Sequence, residues 1–219
     1  MLKTATTKTI IAIAAVALLA GCAGPQPVPY SGLSSASYLK PNTAGPAKIP
    51  YAYTTQVDWQ HYSKVMIDPV VIYQGSDATF VKVSPAEQTD LADYMQAVFA
   101  KKLIQRFTIT NTPDANTLRI HLTLTGAAKS VFGLSTLMHA DIAGNLYNGV
   151  QLVRGGPGAM TGSVLYSVEI YDAQSNVLLE SYVTKQYPNS ENIFASFGTL
   201  TAAKTGLDKG ANALVAQLD

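Results

Sequence analysis

From Leu118 to Thr125 apolar and polar residues alternate without a break: Leu118, Ile120, Leu122 and Leu124 against Arg119, His121, Thr123 and Thr125. Period two marks a strand buried on one face, because successive side chains of a pleated chain point to opposite sides. Val164, Tyr166, Val168 and Ile170 repeat the pattern. Asp172-Ala173-Gln174-Ser175-Asn176 then carries turn residues, and Val177 to Tyr187 supplies a return strand, so the spacing predicts a hairpin. Upstream, Lys64 to Tyr73 reads as a strand built on Val65-Met66-Ile67 and Val70-Val71-Ile72. Pro69 has no N–H for a ladder, so it marks an edge position or a bulge.

Two segments switch to helical spacing. Ser84-Pro85-Ala86-Glu87 is a helix start, with Ser84 as N-cap, Pro85 in the first turn and Glu87 closing a capping box. Leu91, Tyr94, Met95, Val98, Phe99 and Leu103 follow at steps of three and four. Lys101, Lys102 and Arg106 lie where the helix dipole favours cations. Leu200, Ala203, Leu207, Ala211, Leu214 and Leu218 space out a second helix, and Gly206 and Gly210 let it pack closely on a sheet. The order β-α-β-(insert)-β-β-α predicts an α+β fold: a mostly antiparallel sheet with helices packed on one face. The insert, Val131 to Val153, crowds Val131, Phe132, Leu134, Leu137, Met138 and Ile142 with further apolar residues around one charge, Asp141. It is either another covering helix or an apolar contact surface for a partner or for lipid.

The amino terminus has no such periodicity. Lys3 and Lys8 precede an apolar run from Ile10 to Ala20, which ends in Leu19-Ala20-Gly21-Cys22. The run is short for a membrane span and has no basic stop-transfer flank. It resembles a bacterial lipoprotein signal, with cleavage between Gly21 and Cys22 and lipid on Cys22. That resemblance implies three acyl chains and firm anchorage, where a single chain binds only marginally. Ala23 in the following position favours the outer membrane, with the domain in the periplasm. Cys22 is the single cysteine, so no disulfide is expected and the mature fold depends on its core. Three regions are therefore expected: residues 1–21 as signal peptide, 22–50 as lipidated cysteine and tether, and 51–219 as one domain. Pro25, Pro27, Pro29, Pro41, Pro46 and Pro50 support the tether reading. A fully extended chain of that length reaches about 90 Å. Tyr30, Leu33, Tyr38 and Leu39 interrupt it, either as a segment that docks on the domain or as a partner-binding strip.

Losing Lys3 and Lys8 takes the formal charge from +1 to −1, which leaves no basic field for nucleic acid. No cofactor is implied. His61, His121 and His139 have no second ligand type at metal spacing, and no cysteine is left to help them, so no metal site is expected. Gly155-Gly156-Pro157-Gly158 is followed by a strand instead of the helix a phosphate loop needs. Asp90 and Asp93 fall on the polar side of the first helix, as solvated carboxylates. Asp68, just before Pro69, is expected to bond nearby backbone. No catalytic constellation is evident.

The stretch Asp58-Trp59, Tyr62-Ser63-Lys64-Val65-Met66-Ile67-Asp68-Pro69-Val70, with Tyr30-Ser31-Gly32-Leu33, the lipobox and the Asp172 to Leu178 hairpin, resembles an uncharacterised bacterial lipoprotein family, domain of unknown function 3313. The resemblance spans nearly the whole mature chain and implies location and fold, with no activity, substrate or catalytic residues. The expected function is a non-enzymatic, lipid-anchored envelope protein that presents a periplasmic domain for binding an envelope protein partner or for envelope assembly. The alternatives are an envelope enzyme using dispersed residues such as Asp68, Arg119 and His121, or a carrier of an apolar ligand.

Overall fold

The computed structural model describes residues 25–130, 162–188 and 200–219. Cys22, Gly21, His139, the Val131 to Val153 insert and the Gly155 to Gly158 loop lie outside the described residues. The elements run β1 (Lys40–Pro41), β2 (Tyr51–Thr54), a 3-10 turn (Trp59–His61), β3 (Lys64–Ile67), β4 (Val71–Ile72), β5 (Thr79–Val81), α1 (Pro85–Leu103), β6 (Thr108–Ile109), β7 (Thr117–Ala128), β8 (Ser163–Asp172), β9 (Leu178–Gln186) and α2 (Thr201–Leu218).

All nine strands form one sheet, ordered β1-β2-β9-β8-β7-β3-β6, with β4 and β5 also paired to β7. The sheet is mixed, which corrects the mostly antiparallel expectation. Its β1, β2, β9, β8 and β7 half is antiparallel. β3, β4 and β5 run parallel to β7, and β6 runs parallel to β3. The reason is connectivity. α1 carries the chain from β5 back to the start of β7, and a crossover of that length joins parallel strands. The Lys64 to Tyr73 segment is two strands, not one: Asp68-Pro69 breaks the ladder between β3 and β4, as a missing N–H requires.

Alternation then sorts the side chains. Leu118, Ile120, Leu122 and Leu124 of β7, with Val164, Tyr166, Val168 and Ile170 of β8, are buried under Leu91, Met95 and Phe99 of α1 and Leu207 and Leu214 of α2. Phe99 meets Tyr166 edge to face at 5.8 Å. Ser84 and Glu87 make both halves of the capping box that starts α1. α2 lies close on the sheet at its glycines: a Cβ on Gly206 would sit 2.9 Å from the Gln186 carbonyl oxygen. The α1 carboxylate Asp90 reaches Lys204 of α2 at 2.9 Å, and Tyr94 donates to Asp208 at 2.6 Å, so the two helices are tied across their polar sides.

The opposite face carries Arg119, His121, Thr123, Glu169, Ser181 and Val183 in register. Its cover is the amino-terminal segment. Tyr30, Leu33 and Leu39 are buried against Tyr73 and Val183, with Tyr51 and Ala36 packed on the group. The interior of the Pro-rich stretch is thus a strap, docked on the domain. Of Tyr30, Leu33, Tyr38 and Leu39, only Tyr38 is exposed, at 50%, and it leans on Tyr53 at 5.2 Å.

Candidate functional site

The strap is a run of tight turns. The Leu33 amide donates to the Tyr30 carbonyl and the Ala36 amide to the Leu33 carbonyl, each at 3.1 Å, and Tyr38 does the same to Ser35 at 2.9 Å. Bonds of this i to i+3 kind wind the chain at about three residues per turn. Tyr30, Leu33 and Ala36 therefore fall along one edge, and Tyr30, Leu33, Ser35 and Leu39 are buried against the sheet.

Polar contacts fix the strap in place. The Ser35 amide donates to Glu169 Oε1 at 2.7 Å, and the Ser35 and Ser181 hydroxyls are 2.6 Å apart. The Gly32 amide donates to Tyr73 Oη at 3.2 Å. Tyr73 itself donates to Asp77 Oδ1 at 2.6 Å, and that bond holds the Asp77 carboxyl below its ordinary value. Glu169 is 3% exposed and also accepts a long bond from the Tyr171 hydroxyl. Burial, reinforced by the Glu169 charge, raises Tyr171 to about 12, so it stays a neutral donor.

Beside the strap, the sheet brings together three residues far apart in sequence. β3 and β7 are paired so that Met66 opposes Arg119 and Ile67 opposes Ile120. The Asp68 amide extends that register by donating to the Ile120 carbonyl at 3.0 Å. Its side chain is thereby set among those of Arg119 and His121. Arg119 Nε donates to Asp68 Oδ2 at 3.0 Å. His121 Nε2 lies 2.7 Å from the same oxygen, close enough for an ion pair but not aligned as a hydrogen bond. The His121 ring leans on Tyr171 at 5.0 Å, and its residue opposes Glu169 across the ladder. Asp68 thus bonds side chains, not the nearby backbone that local sequence favours. All three groups are partly exposed.

The other sequence candidates serve structure. Asp58 caps the 3-10 turn by accepting from the Gln60 amide at 3.1 Å. Arg106 donates to the Tyr62 and Trp59 carbonyls at 3.1 and 3.0 Å. Tyr62 donates to Asp172 Oδ2 at 3.1 Å; burial and that carboxylate raise the phenol to about 12. His61 packs edge to face on Tyr62. Among the described residues, no three His, Cys, Asp or Glu side chains converge to hold a metal ion, and no helix is long and apolar enough to cross a membrane. At the far end of the strap an open cleft of about 400 Å³ is lined by Ser37, Tyr38, Lys40, Ala52, Tyr53 and Thr54.

The domain is a mixed α/β layer protein: one nine-stranded sheet with two helices on one face and a strap on the other, among the described residues. The chain belongs to the family described as Protein of unknown function (DUF3313), whose family model matches residues 29–214. The match begins one residue before Tyr30, so the strap falls inside it. Solved structures with partial likeness include a PelC dodecamer from Paraburkholderia phytofirmans (TM-score 0.37, 12% identity, 70% of this chain and 87% of that chain). Protein XCC0632 from Xanthomonas campestris, of family DUF330, is similar at TM-score 0.36 and 10% identity, over 74% of this chain and 87% of that chain. A putative neuraminyllactose-binding hemagglutinin homolog from Helicobacter pylori is similar at TM-score 0.32 and 9% identity, over 74% and 83%. Likeness at this level carries no functional reading. No curated protein matches the chain.

Proposed function

We propose that this protein is a lipid-anchored, non-enzymatic component of the bacterial cell envelope that offers its domain to a protein partner. The observation that carries the reading is the Leu19-Ala20-Gly21-Cys22 sequence, placed only eight residues before the buried Tyr30. Eight extended residues span about 28 Å. With the strap docked, the domain is held close to the bilayer surface rather than at the reach of a long free tether. The Ala23 position assigns that surface to the outer membrane, facing the periplasm. The partner-binding reading is supported by the Asp68, Arg119 and His121 group, which is built from structural pairings and presents part of its polar surface to solvent. Its test is cross-linking in cells with the native protein, followed by identification of attached proteins. A defined complex that disappears on Cys22→Ser substitution is expected; a monomer under every condition contradicts the reading.

One observation favours the enzyme alternative: Asp68, Arg119 and His121 do converge. Arg119 already occupies that carboxylate, so the group is engaged in a structural pair rather than open to a substrate. Under the enzyme reading Asp68→Asn abolishes a hydrolytic activity of the purified protein; under ours no such activity exists to lose. The partner surface expected at Val131, Phe132, Leu134, Leu137, Met138 and Ile142 lies outside the described residues.

A further inference from the structure

The strap is joined to the sheet through β1 at one end, while its other end runs toward Cys22. What holds it between those ends is a set of contacts that a separate chain is equally able to make. Three are backbone amides given to side chains of the body: Ser31 to Asp77, Gly32 to Tyr73 and Ser35 to Glu169. One is a hydroxyl pair with Ser181, and the rest is Tyr30, Leu33 and Leu39 set against Tyr73 and Val183. The closed arrangement is also imperfect. Tyr30 Oη and Ser167 Oγ are buried on this side without a hydrogen-bond partner among the described residues. Buried polar groups that lack such partners weaken the docked state relative to an open one. A segment of this kind belongs to the low-stability end of a fold, where local opening occurs without global unfolding.

We propose that the strap is a displaceable occupant of a peptide-receiving groove. The groove is the face formed by Tyr73, Glu169, Ser181 and Val183, and its ligand is a turn-forming segment of a partner protein. The strap itself gives the template: an aromatic residue, an aliphatic one three positions on, and a serine two further, as in Tyr30, Leu33 and Ser35. Glu169 receives the partner's backbone amide, Ser181 its hydroxyl, and the Tyr73 and Val183 surface its apolar side chains. Displacement has a second consequence. It frees the chain from Tyr30 to Leu39, as far as β1, and the distance available between Cys22 and the body rises from about 28 Å to about 60 Å. Partner capture and reach are then coupled. The use of this device for partner binding and reach rests on the function proposed above; the opening and the groove do not.

The test is titration of a fluorescent synthetic peptide of residues 28–41 into the full-length protein. Leu33→Ser weakens the resident strap, and an affinity measured against a fractionally open site rises with the open fraction. The variant is therefore expected to bind the peptide about tenfold tighter than the native chain. Ser35→Cys with Ser181→Cys places two thiols where hydroxyls stand 2.6 Å apart, within reach of a disulfide. Oxidation of that pair is expected to abolish peptide binding, and reduction to restore it. Equal binding by oxidised and reduced forms, or no binding by Leu33→Ser, overturns the proposal. Native-state hydrogen exchange gives a readout that needs no variant. The amides of Leu33, Ala36 and Leu39 are expected to exchange about a hundredfold faster than those of Val168 and Tyr182. Exchange of both sets at one common rate means the strap opens only by global unfolding, and also overturns the proposal. None of these measurements depends on lipid at Cys22, so their failure and the failure of anchorage are distinguishable.

Discussion

Asp68 shows how one backbone position recruits side chains from distant parts of the chain. Its amide is fixed on Ile120 and the following proline ends the strand, so its carboxylate has Arg119 and His121 as neighbours. Asp68→Asn removes the charge that Arg119 pairs with and that His121 faces. The expected loss is about 1 kcal/mol by urea denaturation, because the pair is only partly buried. A cycle with Arg119→Ala is expected to be non-additive, since the two residues touch. Gly206 sits where helix meets sheet, and Ala there is expected to cost about 1–3 kcal/mol by overpacking against Gln186 and Val164. Glu87 sets part of the acid limb. The Lys129 ammonium 2.7 Å away and the Ser84 bonds hold its carboxyl at about 2, against an ordinary 4.5. A carboxyl lowered by folding stabilises the native state above its unfolded value and loses that contribution as pH falls through the folded one. Stability is thus expected to decline between about pH 4.5 and about 2, and Glu87→Gln to flatten that decline in acid titrations followed by circular dichroism.

At the scale of elements, local chemistry decides most of what happens. The α1 start depends on Ser84, whose hydroxyl oxygen accepts the Glu87 amide while the Glu87 carboxylate returns to the Ser84 amide. Ser84→Ala is expected to lower thermal stability by about 1 kcal/mol, with the helix otherwise intact. Such features are readable in sequence because they involve neighbours three or four residues apart. The alternating strands β7 and β8, the hairpin and both helices are legible for the same reason. Parallel pairing of β3 to β5 with β7 is not written in any one strand; it follows from where α1 delivers the chain. The strap is only partly legible: Tyr30, Leu33, Tyr38 and Leu39 mark a docking segment or a partner strip, and local pattern does not choose between them. Proline density signals an extended tether, whereas the apolar residues recur every third position, at Pro27, Tyr30, Leu33, Ala36 and Leu39, a period that belongs to neither strand nor α-helix. Glu169 reads as a solvated residue on the polar face of β8 until that cover is recognised. Asp68, Arg119 and His121 were nameable from sequence as a set, but their convergence depends on the parallel register.

For the whole molecule, the two faces of the sheet divide the labour. One face is covered by α1 and α2 around an apolar core. The other carries polar and charged residues beneath a strap that leads, within eight residues, to the position proposed for the lipid. On the proposed anchorage, any force on the strap acts on the link between membrane and domain. That arrangement has meaning only if Cys22 is the mature amino terminus and is acylated. Mass spectrometry of the protein isolated from its native membrane decides the matter. The account predicts an amino-terminal fragment that begins at Cys22 and carries fatty acyl chains. A fragment that begins at Met1, or a Cys22 with a free thiol in a protein released from membranes without detergent, contradicts it.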